Sequence, residues 1–207
     1  MSLTLRAWAA LVVPLAATCL HTSEARATEV SVQVRAGVGK PLGDAVVFLE
    51  SREAKAAARV MRGVEVAQIE RRFVPAVTVV TLGTEVQFPN RDKVRHHVYS
   101  FSSSKSFELK LYTGTPANPV LFDRPGIVVM GCNIHDDMAA WVVVVETPYF
   151  GKTGVGGQVQ LVDVPQGHYR LRVWHPGRPV GSAALDQALS VGAQALTVPV
   201  QLDNVKP

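Results

Sequence analysis

Apolar residues in this chain recur mainly at every second position, in short runs. Such runs fall at residues 30–34 (VSVQV), 77–81 (VTVVT), 85–88 (EVQF), 127–130 (IVVM), 141–145 (WVVVV) and 169–173 (YRLRV). Each is rich in β-branched side chains, and a period of two is the mark of a strand with one buried face. The gaps between runs hold residues that set turns: Gly37, Gly39 and Pro41; Asn90 and Asp92; Gly114 and Pro116; Pro165 and Gly167. The pattern predicts an all-β protein. Residues 51–62 (SREAKAAARVMR) depart from it and read as a short helix stopped by Gly63, although alanine supplies most of its apolar face.

Composition shifts near this alanine-rich stretch and again at residues 147–157 (TPYFGKTGVGG). The shifts predict one unit over 63–148. The flanks, 28–62 and 149–207, are expected to join as a split β-sandwich, because each alone has too few strands to bury two faces. A unit can be inserted into another in this way when its own ends lie close together.

The N-terminus has the three-part layout of an export signal over residues 1–27. Arg6 gives a positive start, residues 7–20 (AWAALVVPLAATCL) form an apolar stretch too short to span a bilayer, and Ala25-Arg26-Ala27 is a small-x-small cleavage site. Cutting after Ala27 competes with lipidation of Cys19, which Thr18 disfavours. No later segment is apolar and long enough to anchor the chain, so the product is expected to be soluble in the periplasm, with no membrane span. Removal of the leader changes the balance from 21 basic and 17 acidic residues to 19 and 16, a formal charge of +3. Acidic residues interrupt the basic ones, so nucleic acid is not an expected partner.

Loss of the leader also takes Cys19 and leaves Cys132 as the lone cysteine in a compartment that favours disulfides. Its neighbours give it a role. In residues 131–138 (GCNIHDDM), Cys132, His135 and Met138 place a thiolate, an imidazole and a thioether at three-residue intervals. A thiolate and two imidazoles with a weak axial thioether suit copper in both oxidation states. The second imidazole is offered upstream by His96 or His97, which project to opposite faces if they lie in one strand. Haem attachment would need a second cysteine, and structural zinc normally recruits more thiolates. Met130, two residues before Cys132, reads as core, and His168 and His175 read as packing or hydrogen-bonding residues.

These residues resemble the cupredoxins, and the Cys-x-x-His-x-x-Met spacing is most similar to the ligand loop of amicyanins. The resemblance runs over about residues 66–148, through Phe73, Val79, Gly83, Thr84, Val86, Phe88, Pro89, Asn90, Asp92, His96, Val98 and residues 122–138, and is of methylamine-utilisation or plastocyanin type. It implies a Greek-key sandwich with one mononuclear type 1 copper held by His96, Cys132, His135 and Met138. Two departures stand out. His97 occupies a position where cupredoxins often carry an asparagine that supports the cysteine loop, and Asp136 and Asp137 replace proline and apolar residues. Less specific motifs in the flanks, at residues 30–49 and 164–174, resemble a transthyretin-like or carboxypeptidase-regulatory sandwich.

The function implied is one-electron transfer by Cu(I)/Cu(II) cycling, without enzymatic turnover. A redox donor and acceptor, a dehydrogenase or a cytochrome, would dock transiently beside His135, framed by Ile134, Ala139 and Ala140. Two rival readings are a copper-binding or delivery protein, in which the metal is cargo, and a cell-envelope interaction module whose cupredoxin unit has no redox role.

Overall fold

The structure is a computed structural model that describes residues 27–37, 39–135 and 137–206. The expected leader, apart from Ala27, lies outside the described residues. The chain runs β1 (Ala27–Ala36), β2 (Val46–Glu50), α1 (Arg52–Ala57), β3 (Val64–Glu65), β4 (Ala67–Ile69), β5 (Arg72–Val74), β6 (Val77–Thr81), β7 (Thr84–Gln87) and β8 (His96–Ser102). It continues as β9 (Lys105–Tyr112), β10 (Val120–Phe122), β11 (Gly126–Gly131), β12 (Ala139–Val145), β13 (Phe150–Lys152), β14 (Gln158–Pro165), β15 (Gly167–Trp174), β16 (Leu185–Val191) and β17 (Leu196–Leu202). The expected all-β class is what the structure has.

Two separate cores organise these strands. Sheets β14-β1-β17 and β13-β2-β15-β16 hold the first, built from Val30, Val32, Val34, Val47 and Leu49 at one end of the chain and Leu161, Leu171, Val173 and Val200 at the other. Sheets β10-β7-β3 and β6-β12-β11-β8-β9 hold the second, around Val86, Phe88, Val98, Phe122, Val128, Met130 and Val142. A third buried cluster joins the two: Val77, Val79, Val143 and Val145 meet Val46, Phe48 and Trp174. This seam explains why β6 is buried along its whole length and why β12 carries an unbroken apolar sequence, since strands covered on both faces have no polar side to show.

The helix differs from its expectation. It covers only six residues, with Ser51 as N-cap accepting from the Ala54 N–H at 3.0 Å, and the chain becomes extended at Ala58. Ala54 is its one buried residue, so nothing apolar rewards a second turn. Gly63, in the left-handed region at φ +67°, turns the chain ahead of β3 and does not end the helix.

After β15, His175 ties the first sandwich to its own far turn. Its Nε2 lies 3.0 Å from the Gly43 carbonyl, and its Nδ1 accepts from the Gly177 N–H at 2.9 Å. This arrangement needs a neutral ring, and desolvation lowers its pKa against the opposing pull of the Gly43 carbonyl and Asp44. With the folded pKa below the unfolded one, the unfolded chain binds more protons as the pH drops through the imidazole range. The stabilisation is complete above about pH 6.5 and is lost as the pH falls through and below it. Urea midpoints measured from about pH 8 to about pH 5 should therefore fall less steeply for His175→Gln than for the wild type.

Candidate metal centre

The strand β11 ends at Gly131, and β12 begins opposite it at Ala139, so the seven residues between them form one hairpin loop. Cys132, His135 and Met138 all belong to this loop. The Met138 N–H donates to the His135 carbonyl at 3.0 Å, and the Cys132 N–H to the Met138 carbonyl at 3.3 Å, closing the loop on itself. Cys132 and Met138 are both buried in the second core with Met130.

His96 enters from β8, which neighbours β11 through the pairing of Tyr99 with Gly131. Pleating sends the two histidines to different faces. His96, Val98 and Ser100 are buried on the face that also takes Met130 and Cys132, whereas His97 turns to the other face. There its Nε2 lies 3.0 Å from Glu108 Oε1, close enough to pair but without the alignment of a hydrogen bond. Among the described residues, His97 makes no hydrogen bond to the cysteine loop. The buried Asn90 organises the neighbouring loop, donating from Nδ2 to the carbonyls of Val94 at 2.9 Å and Tyr112 at 2.8 Å.

Three candidate ligand atoms converge. Cys132 Sγ lies 3.9 Å from His96 Nδ1 and 3.9 Å from His135 Nδ1, and all three atoms lie within 4.8 Å of one another. Bonds of about 2.3 Å to a thiolate and about 2.0 Å to an imidazole would span a 3.9 Å separation at an angle of about 130°. Cys132, His96 and His135 could therefore hold one metal ion between them, each through a single atom. Met138 brings a buried thioether to the same core, a donor type outside the thiolate, imidazole and carboxylate set that binds zinc.

Exposure around the site is one-sided. His96 has no accessible surface, while His135 is half-buried and its neighbours Asn133, Ile134, Asp137 and Ala139 are exposed. Ala140, expected to frame His135 at the surface, is fully buried because it points inward from β12 toward the second core. Asp136 lies outside the described residues. The other candidates lie elsewhere: Met130 is core, His168 Nδ1 lies 3.0 Å from Ser190 Oγ, and His175 holds the contacts given above.

Sequence spacing did not assign a role to Asp92, which stands behind His96. Its Oδ2 lies 2.7 Å from His96 Nε2 and 2.9 Å from the Arg71 N–H, and its Oδ1 accepts from the Glu70 N–H at 2.7 Å. Glu70 and Arg71 form the two-residue turn between β4 and β5, with φ +51° and +57°. Such left-handed values suit Asn-Gly and cost other residues roughly 1–2 kcal/mol each. Desolvation pushes the Asp92 carboxyl up, but the Arg71 amide, the His96 ring and the Glu70 amide outweigh it and hold it below the usual carboxylate range. Burial pushes the nearby Tyr112 hydroxyl up to about 12, so it stays a donor, to the Phe88 carbonyl at 2.7 Å.

No protein-family model matches the chain. No curated protein sequence matches it either. Among solved structures, it is similar to an amicyanin in its reduced Cu(I) form, at 19% identity and a TM-score of 0.37 over 48% of this chain and 98% of that one. It is also similar to a purple cupredoxin from Nitrosopumilus maritimus, at 18% identity and 0.36 over 40% of this chain and 99% of that one. A copper-containing nitrite reductase from Thermus scotoductus matches at 21% identity and 0.38, over 54% of this chain and 28% of that one. At that level of likeness, the chemistry of the centre is decided by its own side chains: one buried thiol and two imidazoles able to hold a metal ion.

Proposed function

We propose that this chain is a type 1 copper protein that carries single electrons between redox partners, with His96, Cys132, His135 and Met138 as the ligands. The observation that supports this reading is the approach of both Nδ1 atoms to Cys132 Sγ at 3.9 Å, with Cys132 and His96 buried and His135 half-buried. Copper, when bound, supplies the one-electron Cu(I)/Cu(II) couple. The protein's part is to keep its surroundings unchanged as the charge changes. His96 is fixed from behind by Asp92, and Cys132 and Met138 are clasped by backbone hydrogen bonds at the two ends of one loop. Such rigidity favours a carrier over a delivery protein, whose site must open to release its cargo.

The half-buried His135 is the exit for the electron, with Ile134 and Ala139 beside it as the docking rim. A cytochrome or dehydrogenase would meet this rim through a small, transient interface, below about 1,200 Å². The unit over 63–148 holds the site, and 28–62 with 149–207 form the split sandwich, a division supported by the two separate cores. Export to the periplasm belongs to the same reading. No helix among the described residues is long and apolar enough to cross a membrane.

The test is the visible and EPR spectrum of the copper-loaded protein. Intense thiolate-to-copper absorption is expected, and a colourless copper(II) complex or failure to take up copper would overturn the proposal. A second expectation concerns the loop charges. Carboxylates beside the metal favour the more highly charged Cu(II). Asp137 is exposed in the ligand loop. Replacing Asp136 and Asp137 together by asparagine should raise the reduction potential in a redox titration; an unchanged or lower value counts against the charge argument.

A further inference from the structure

We propose that Asp92 is the positioning residue of the metal centre and that the turn between β4 and β5 holds it in place, so that a hairpin supplying no ligand orients the first histidine. The inference rests on the copper reading above and adds to it a device outside the ligand set.

The chemistry of the acceptor dictates the arrangement. An ionised carboxylate can only accept hydrogen bonds. Asp92 Oδ2 lies 2.7 Å from His96 Nε2, so that nitrogen must carry the ring proton, and the lone pair is left on Nδ1, the atom that faces Cys132 Sγ. Without such a partner, a neutral imidazole distributes its proton between both nitrogens and turns about its own bonds. Asp92 thus selects the tautomer and the ring orientation that a metal needs, as supporting partners of metal-bound histidines do.

Asp92 is itself held from three directions. The Glu70 and Arg71 amides donate to its two oxygens, and its own N–H donates to Asn90 Oδ1 at 2.9 Å. Both amides point at one carboxylate because Glu70 and Arg71 are both in the left-handed conformation. The backbone there forms a concave anion seat, and the anion in it is a side chain of the protein. The side chains of Glu70 and Arg71 are not required; their strained backbone is. The β4–β5 hairpin is therefore linked to the ligand through a single residue, more than twenty positions along the chain.

The test compares the full-length protein with Asp92→Ala, Asp92→Asn and Asp92→Glu. In metal-free wild type, nitrogen-15 NMR should find the His96 ring proton on Nε2 and slow amide exchange at Glu70 and Arg71. Asp92→Ala should mix the tautomers and speed exchange at both amides, and its copper(II) affinity should fall by roughly 10–100-fold. Asp92→Glu, which keeps the carboxylate, should recover part of each effect. Should Asp92→Ala fail to fold, Asp92→Asn gives the same comparison, because its amide group cannot accept three hydrogen bonds in that geometry. A His96 ring still protonated on Nε2, with unchanged amide exchange, in the folded Ala or Asn variant would overturn the proposal. Both readouts are taken without metal, so their failure is distinguishable from a failure of the copper reading.

Discussion

Exchange of Cys132 for serine is expected to remove the intense visible absorption of the copper-loaded protein and to weaken copper retention by more than the 10–100-fold typical of a lost supporting partner. The absorption depends on a thiolate, and a serine hydroxyl is neither ionised at neutral pH nor soft enough to favour Cu(I). The fold should survive. Cys132 is 4% exposed, and a buried hydroxyl lacking a full set of partners costs about 1–3 kcal/mol. Met130→Leu serves as the matching control. Met130 is equally buried but lies two residues up the strand in the core, and a swap of similar volume should cost under about 1.5 kcal/mol and leave the spectrum as it was. If the serine variant keeps the colour, or the leucine variant loses it, the ligand assignment is wrong.

The second large effect is expected at the seam, where stability and metal chemistry should separate. Trp174 is 4% exposed and packs among Val46, Val77, Val79, Val143 and Val145, with its ring 6.2 Å from that of Trp141. Truncation of a buried tryptophan to alanine typically costs 3–5 kcal/mol, on the order of a third or more of a small domain's stability. Chemical denaturation of Trp174→Ala should show a loss of that size. Its copper spectrum should match the wild type, because the seam lies on the face of β12 opposite Ala140, Val142 and Val144, which line the second core. A shifted spectrum would mean that the seam and the metal centre are mechanically coupled through that strand.

The nearness of Cys132 to His135 was legible in the sequence because it is local. Three donors within seven residues need no tertiary knowledge, and the strands on both sides announce themselves by β-branched runs. That His96 and not His97 lies beside Cys132 is less local, since pleating gives only alternate faces and the pairing of Tyr99 with Gly131 is needed to say which face meets Cys132. Strands β9 and β16 alternate too, but hold almost no β-branched residues, and as the edges of their sheets they are mostly only partly buried, so polar residues cost little there. The helix was overextended because composition favours helix throughout residues 51–62, while its length is set by packing, and only Ala54 packs. Asp92 was visible as a turn residue, but its hold on His96 depends on two backbone amides twenty-odd positions earlier, a contact with no periodicity to betray it.

The doubly covered strand β12 has a consequence for how the molecule moves. The chain crosses from one sandwich to the other twice, so the halves are tethered at two points, and separating them would be an intramolecular event opposed by a high effective concentration. Opening would also show water a valine-lined stripe from Val77 to Val145, a patch that favours sticking to other molecules. The flanking sandwich thus acts as a lining for the back of the half that holds His96, Cys132 and His135, leaving the His135 end uncovered.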